Sequence, residues 1–179
     1  EYDTTGDWSS FATPVVSGTL GLLVQKAKSQ SALNQAVSEQ GGNCVMKAIL
    51  MNSAKKLPFW HKGDVGKEDD HEVPLDYVQG AGLLNGLDAY EHLLAGQAEG
   101  EVSATGWDNN VITDLTGAEK VYHFEIPPAG ADDFITATLI WNRHFDEEYP
   151  FGQVPDSFSD LRLELWAVNS ENPADARMI

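Results

Sequence analysis

The first half of the chain is dominated by apolar residues spaced as in helices. Residues 11–28 are apolar almost all round, and this pattern predicts a helix that is buried on every side. Ser10 is suited to cap this helix at its N-terminus. Pro14 then falls near the helix start, where the N–H that proline lacks has no intrahelical acceptor anyway.

Three more helices are predicted by the same criteria, over residues 31–40, 44–54 and 83–94. Asn43 can cap the second of them, and Gly96 ends the third. Proline, glycine and charged residues between positions 55 and 78 are typical of a loop.

The second half of the chain changes to a strand-like pattern. Strands are predicted over residues 121–126, 134–141 and 161–168, with a Pro-Pro-Ala-Gly turn after the first. In the last strand, alternation places Leu161, Leu163 and Leu165 on one face and Arg162, Glu164 and Trp166 on the other. Strands without intervening helices predict an antiparallel β-sandwich, here incomplete because too few strands are visible to close it.

The change of pattern near residues 96–100 predicts a domain boundary. It divides the chain into a helical segment, residues 1–98, and a β-sandwich of jelly-roll type, residues 99–179.

Composition and charge narrow the class of protein. Apolar residues make up 42% and charged residues 22% of the chain, as in globular proteins. The net charge of −17 disfavours nucleic acid as a partner. No apolar run is long enough to predict a membrane span, and no signal-peptide pattern is present. Because the chain starts at Glu1, we expect a processed or excised piece.

Cys44 is the only cysteine, so no intrachain disulfide is expected, and its apolar neighbours predict a small core residue.

Ser10 is the residue with the clearest chemical potential. Its position places a hydroxyl at the N-terminus of a helix, where the dipole and the free N–H groups favour negative charge. A serine that attacks a carbonyl creates an oxyanion, which such N–H groups can stabilise. From this pattern alone, a plain N-cap serine is the competing interpretation.

The residues from Ser10 to Gly18 resemble the nucleophile signature of the subtilisin-like serine proteases, Gly-Thr-Ser-x-Ala-x-Pro followed by small and apolar residues and a glycine. Residues 48–54 resemble the helix that follows in this family and ends in an Asn-Thr-Ala-like triplet. Residues 80–85, Gly-Ala-Gly-Leu-Leu-Asn, resemble its closing Gly-x-Gly-x-x-Asn turn. The resemblance covers about residues 8–95, and residues 99–179 are only loosely similar to the β-sandwich that follows some catalytic domains.

The resemblance implies an α/β catalytic domain of which this chain holds the C-terminal helical portion, with most of its parallel sheet upstream. It implies that Ser10 is the nucleophile of a serine endopeptidase acting on peptide or protein substrates. The triad Asp and His and the oxyanion-hole Asn are then expected upstream of Glu1, so the N-terminal part of the protease would be this chain's partner. The family also implies an extracellular or periplasmic location.

Five histidines of the chain could in principle replace the missing base: His61, His71, His92, His123 and His144. None stands in the family's His-Gly-Thr context, so we expect each to be a surface or structural residue. A serine without a base is a poor nucleophile, and the chain alone is therefore predicted to be inactive.

The chain departs from the family at the two positions before the nucleophile. Trp8 and Ser9 stand where the family has Gly-Thr, unless Gly6 is the equivalent glycine. A tryptophan there could crowd the substrate cleft. The alternative function is therefore a non-catalytic relative that acts as a protein- or carbohydrate-binding module. A third hypothesis treats residues 99–179 as a module that binds carbohydrate or stabilises the protease, with Trp107, Trp141 and Trp166 as candidates to stack on a ligand.

Calcium is the cofactor that the sequence could accommodate, as a structural ion. Two oxygen-rich triplets offer ligands for it: Asp108-Asn109-Asn110 and Asp146-Glu147-Glu148. Neither matches a calcium motif of the family residue by residue.

Overall fold

A computed structural model of the chain describes residues 8–38, 40–60, 75–113, 118–125, 135–154, 160–169 and 172–178. Its helices are α1 (Ser9–Ser29), a 3-10 turn (Ser31–Leu33), α2 (Gln35–Ser38), α3 (Gly42–Asn52) and α4 (Gly86–Ala95). Its strands are β1 (Trp166–Asn169) and β2 (Asn172–Met178).

Helix α1 starts earlier than the sequence predicts. The residue before the helix is Trp8, whose carbonyl accepts hydrogen bonds from the N–H groups of Phe11 (3.0 Å) and Ala12 (3.2 Å). Ser10 is therefore the second helical residue, and its prediction as the N-cap is wrong. Pro14 lies inside α1, in its second turn, where its missing N–H withholds one hydrogen bond from the Ser10 carbonyl.

The core lies where the second half of α1 meets the other helices. Helix α1 contacts α2, α3 and α4, and these contacts bury the apolar face of each short helix. The core residues are Leu23, Ala27, Leu33, Ala36, Val45, Met46, Ile49, Ala89, Leu93 and Trp107.

The ends of the other helices are set by glycines and by one asparagine. Gly41, at φ +98°, is the residue that precedes α3, so the prediction that Asn43 caps this helix is wrong. Asn85 caps α4 by accepting a hydrogen bond from the Asp88 N–H (3.2 Å), and Gly96 ends α4 as predicted. The predicted helix over residues 31–40 is divided between the 3-10 turn and α2.

Two compact units divide the chain between residues 140 and 141. The first extends beyond the predicted boundary at residue 98 because Trp107 packs onto α4. Its indole N–H donates to the Leu93 carbonyl (3.0 Å), and its backbone bonds to Gly96 and Ala98. The division into residues 1–98 and 99–179 stays a prediction about domains.

The second unit has one two-stranded antiparallel sheet among its described residues, formed by β1 and β2 with Trp166 opposite Met178. Of the predicted inner face, Leu161 and Leu165 are half-buried, whereas Leu163 is exposed. The β-sandwich stays a prediction.

Neither of the other two predicted strands is formed by the described residues. Residues 121–125 form a single parallel bridge, through His123, and residues 135–140 have no assigned strand. The predicted turn over residues 127–130 lies outside the described residues.

Two further sequence expectations concern the single cysteine and membrane spans. Cys44 is half-buried in α3, and this burial raises the pKa of its thiol, an effect that nearby Lys47 partly opposes. Of the helices in the described ranges, none has the length and apolar character needed to cross a bilayer.

Candidate functional site

Ser10 lies in the first turn of α1 with an exposed side chain. Its backbone N–H is one of the first four in the helix, which have no intrahelical acceptor. The helix dipole adds partial positive charge at the same end. The local backbone therefore places a hydroxyl beside groups that can stabilise an oxyanion.

The first half of α1 is exposed although it carries several large apolar side chains. Every described residue from position 8 to position 18 is exposed. Phe11 is 70% exposed and Val15 is 59% exposed, and the segment from residue 8 to residue 25 has no charged side chain. The prediction of a helix buried on every side is therefore wrong for the first half of α1.

Trp8 adopts an ordinary extended backbone, with φ −107° and ψ 94°, so the glycine expected there by the family is not needed for its conformation. Its ring meets the Phe11 ring edge-on, with centroids 6.3 Å apart. The indole ring of Trp8 therefore packs against the Phe11 ring, which lies one helical turn further along α1. It lies close to Ser10 along the chain and remains 59% exposed.

The two other segments that resemble the family lie side by side. Lys55, directly after the Asn-Ser-Ala triplet, forms an antiparallel bridge with Leu83, and both of their mutual backbone hydrogen bonds are 2.8 Å long. Gly82, at φ +116°, brings its backbone so close to Lys55 that a Cβ atom would lie 2.5 Å from the Lys55 carbonyl oxygen. The Gly-x-Gly turn therefore needs glycine for a steric reason.

Hydrogen bonds of side chains fix these segments further. Asp76 is buried, and its carboxylate accepts from the N–H groups of Val78 and Gln79, both at 2.6 Å, to hold the turn that ends at Gly80. Asn52 accepts a hydrogen bond from the Thr138 hydroxyl (2.9 Å). The family-like asparagine is thus engaged by a residue that the sequence did not single out.

The described histidines have structural partners. His92 is buried in α4, and its Nε2 lies 2.8 Å from the Gly106 carbonyl oxygen. The backbone of His123 bonds to Gly100 and Val102. His144 is exposed in the second unit, whereas His61 and His71 lie outside the described residues. Neither His92 nor His123 contacts Ser10.

The first calcium candidate is held together by hydrogen bonds. The two oxygens of Asp108 accept from Gln97 (2.7 Å), Asn110 (3.3 Å) and Tyr122 (2.6 Å). Asn109 points elsewhere, toward the Gln35 carbonyl (3.4 Å). The sequence did not indicate Gln97 and Tyr122 as partners of Asp108, because nothing in their spacing links them to it.

The second candidate occupies an exposed turn closed by the bridge between Phe145 and Gln153, and Asp146, Glu147 and Glu148 are all exposed. Neither triplet belongs to a group of three or more potential ligands among His, Cys, Asp and Glu within the described ranges.

The three tryptophans proposed to stack on a ligand differ in exposure. Trp107 is buried in the helical core and is unavailable to a ligand. Trp141 is 36% exposed and Trp166 is 50% exposed. Stacking therefore remains open to Trp141 and Trp166 only.

Comparison with known proteins gave no match: no family model matches the chain, and no curated protein or solved structure is detectably similar to it.

Proposed function

We propose that this chain is the C-terminal part of the catalytic domain of a subtilisin-like serine protease and that Ser10 is its nucleophile. The observation that carries the proposal is the exposed Ser10 hydroxyl in the first turn of an apolar helix. The signature from Ser10 to Gly18 and the paired segments around Lys55 and Gly82 support it.

The reaction would be acyl transfer to Ser10. The Ser10 oxygen attacks the peptide carbonyl carbon while a histidine takes the hydroxyl proton. The carbonyl oxygen becomes an oxyanion, to which the backbone N–H at the helix start donates a hydrogen bond. The protonated histidine then gives its proton to the leaving amine, and water hydrolyses the acyl-enzyme.

The histidine, its aspartate and an oxyanion-hole asparagine would come from an N-terminal segment outside this chain. The apolar surface of α1 supports this, because an exposed patch of this kind is typical of an interaction site. Secretion and a structural calcium ion remain family expectations within the proposal.

The alternative is a non-catalytic relative that binds protein or carbohydrate. The observation that favours it is Trp8, a bulky side chain two residues before Ser10 that is 59% exposed and packs edge-on against Phe11. In this alternative, the helix start binds a ligand and Ser10 is only a helical residue.

Labelling with a fluorophosphonate, read out by peptide mapping, separates the two functions. The chain alone should label no more than its Ser10→Ala variant. Together with a polypeptide that carries the Asp and His segments, it should label stoichiometrically at Ser10. Ser17→Ala, another exposed serine of α1, is the matched control and should label like the unchanged chain.

Burst labelling of the chain alone would contradict its dependence on a partner. Absence of labelling in the assembled protein would overturn the assignment of Ser10 and favour the non-catalytic relative. Intact mass and N-terminal sequencing of the purified material identify whether such a partner polypeptide is present.

A further inference from the structure

A polar cleft lies in the first compact unit, away from Ser10 and from the apolar part of α1. It has a volume of about 300 Å³, near the lower end of the roughly 300–1,000 Å³ of small-molecule sites. Its lining residues are Glu99, Gly100, Asp108, Asn110, Lys120, Val121 and Tyr122. A cleft of this size holds one small ring, and its polar lining selects a polar ligand.

The carboxylate of Asp108 is fixed at the wall of this cleft. Gln97 and Asn110 donate to it from one segment of the chain, at 2.7 and 3.3 Å, and Tyr122 donates from another, at 2.6 Å. A side chain held by three donors loses little further conformational entropy when a ligand binds. Asp108 is therefore a preorganised acceptor.

The other lining groups complement this acceptor. Lys120 supplies an ammonium donor, and Glu99 supplies a second carboxylate. Tyr122 keeps the proton that it donates to Asp108, because burial and this hydrogen bond raise the pKa of its phenol, and the phenol oxygen can still accept a hydrogen bond. The cleft thus offers several acceptors and a charged donor within one small volume.

The cleft is lined by both positive and negative side chains, which disfavours a ligand that carries charge of one sign only. A metal cation would be repelled by the ammonium of Lys120, and an anion would be repelled by the carboxylates of Asp108 and Glu99. A neutral molecule with adjacent hydroxyl groups can donate to the carboxylates and accept from the ammonium without repulsion from either. We propose that this cleft binds a single sugar ring through its hydroxyl groups. This site is independent of the protease activity proposed above.

Saturation-transfer NMR on the full chain tests the proposal, and it tolerates self-association of the protein. The probes are D-glucose, D-galactose and N-acetyl-D-glucosamine, with calcium chloride added in a separate series. We expect saturation transfer to at least one sugar with a dissociation constant on the order of 1–10 mM, as for a site with few hydrogen bonds. Asp108→Asn and Lys120→Met should each weaken binding roughly tenfold or more, since each removes a charged partner.

Two exposed residues outside the cleft provide matched controls. Glu91→Gln and Lys28→Met make comparable charge changes and should leave sugar binding unchanged. Because Asp108→Asn could loosen the local fold, Glu99→Gln serves as a second variant that changes the cleft without touching the Asp108 hydrogen bonds. It too should weaken binding, with an unchanged circular dichroism spectrum.

Three results would overturn the proposal. The first is no saturation transfer to any of the sugars. The second is equal binding by the cleft variants and the control variants. The third is displacement of the sugar by calcium together with calcium binding that depends on Asp108, which would make the cleft a cation site.

Discussion

The turn at Gly82 provides a sharp test of the packing between the segments that resemble the protease family. In Gly82→Ala, the new Cβ would lie 2.5 Å from the Lys55 carbonyl oxygen and 2.9 Å from its carbonyl carbon. These are backbone atoms and cannot rotate away as a side chain could. The substitution also forces alanine to φ +116°, where side chains are disfavoured.

The expected cost follows from two contributions. Holding a non-glycine residue at positive φ costs about 1–2 kcal/mol. Separating Lys55 from Leu83 to make room breaks two backbone hydrogen bonds, each contributing about 1 kcal/mol. The local free energy of opening should therefore fall by about 3 kcal/mol, which speeds amide exchange more than a hundredfold.

Hydrogen exchange measured by mass spectrometry reads this change in peptides that contain Lys55 and Leu83. Gly80→Ala is the matched control, since Gly80 also has positive φ (+62°) but nothing within 4 Å of its added Cβ. It should show only the conformational part of the cost. If Gly82→Ala exchanges no faster than Gly80→Ala, the close approach to Lys55 does not limit this turn, and the steric argument fails.

Three other predictions test the exposed helix, the core and the cleft. Phe11→Ser should reduce self-association in sedimentation velocity, because Phe11 is 70% exposed on an uncharged helix; unchanged sedimentation would refute a role for this surface. Trp107→Phe should destabilise the first unit by about 1–2 kcal/mol through the lost bond to Leu93, less than the roughly 3–5 kcal/mol of Trp107→Ala; equal thermal shifts would contradict this ranking. Burial and the bond to Asp108 raise the pKa of Tyr122, so the stability that this gives is present below about pH 10 and is lost as pH rises through the higher pKa of the folded state. Absorbance titration at high pH should show one late-ionising tyrosine that disappears in Tyr122→Phe.

The helices were predictable because their signals are local. Apolar periodicity gives α3 and α4, and Gly96 ends α4 as expected. The caps were less predictable, since Gly41 rather than Asn43 precedes α3. Periodicity gives the buried face of a helix, whereas the exact first residue depends on backbone hydrogen bonds that several neighbours can supply.

Longer-range features could not be predicted from spacing. Asp108 stood out as an oxygen-rich position, but its partners Gln97 and Tyr122 lie 11 and 14 residues away. Alternation predicted an inner face of Leu161, Leu163 and Leu165, but Leu163 is exposed. Alternation does not specify which strand pairs with which, because pairing depends on residues distant in the chain. The same limit applies to Trp107, whose burial depends on its packing against α4.

The two halves of α1 differ in how far their apolar side chains are buried. In the second half of the helix Leu23 and Ala27 are buried, whereas in the first half Phe11 and Val15 are largely exposed. A surface helix normally carries a polar face, and this one carries no charge before Lys26. The face of the second half that carries Leu23 and Ala27 packs against the other helices, and the described residues supply no equivalent cover for Phe11 and Val15. Because Ser10 lies in the exposed half, a segment that covered this surface, as the proposed protease requires, would also surround the Ser10 hydroxyl.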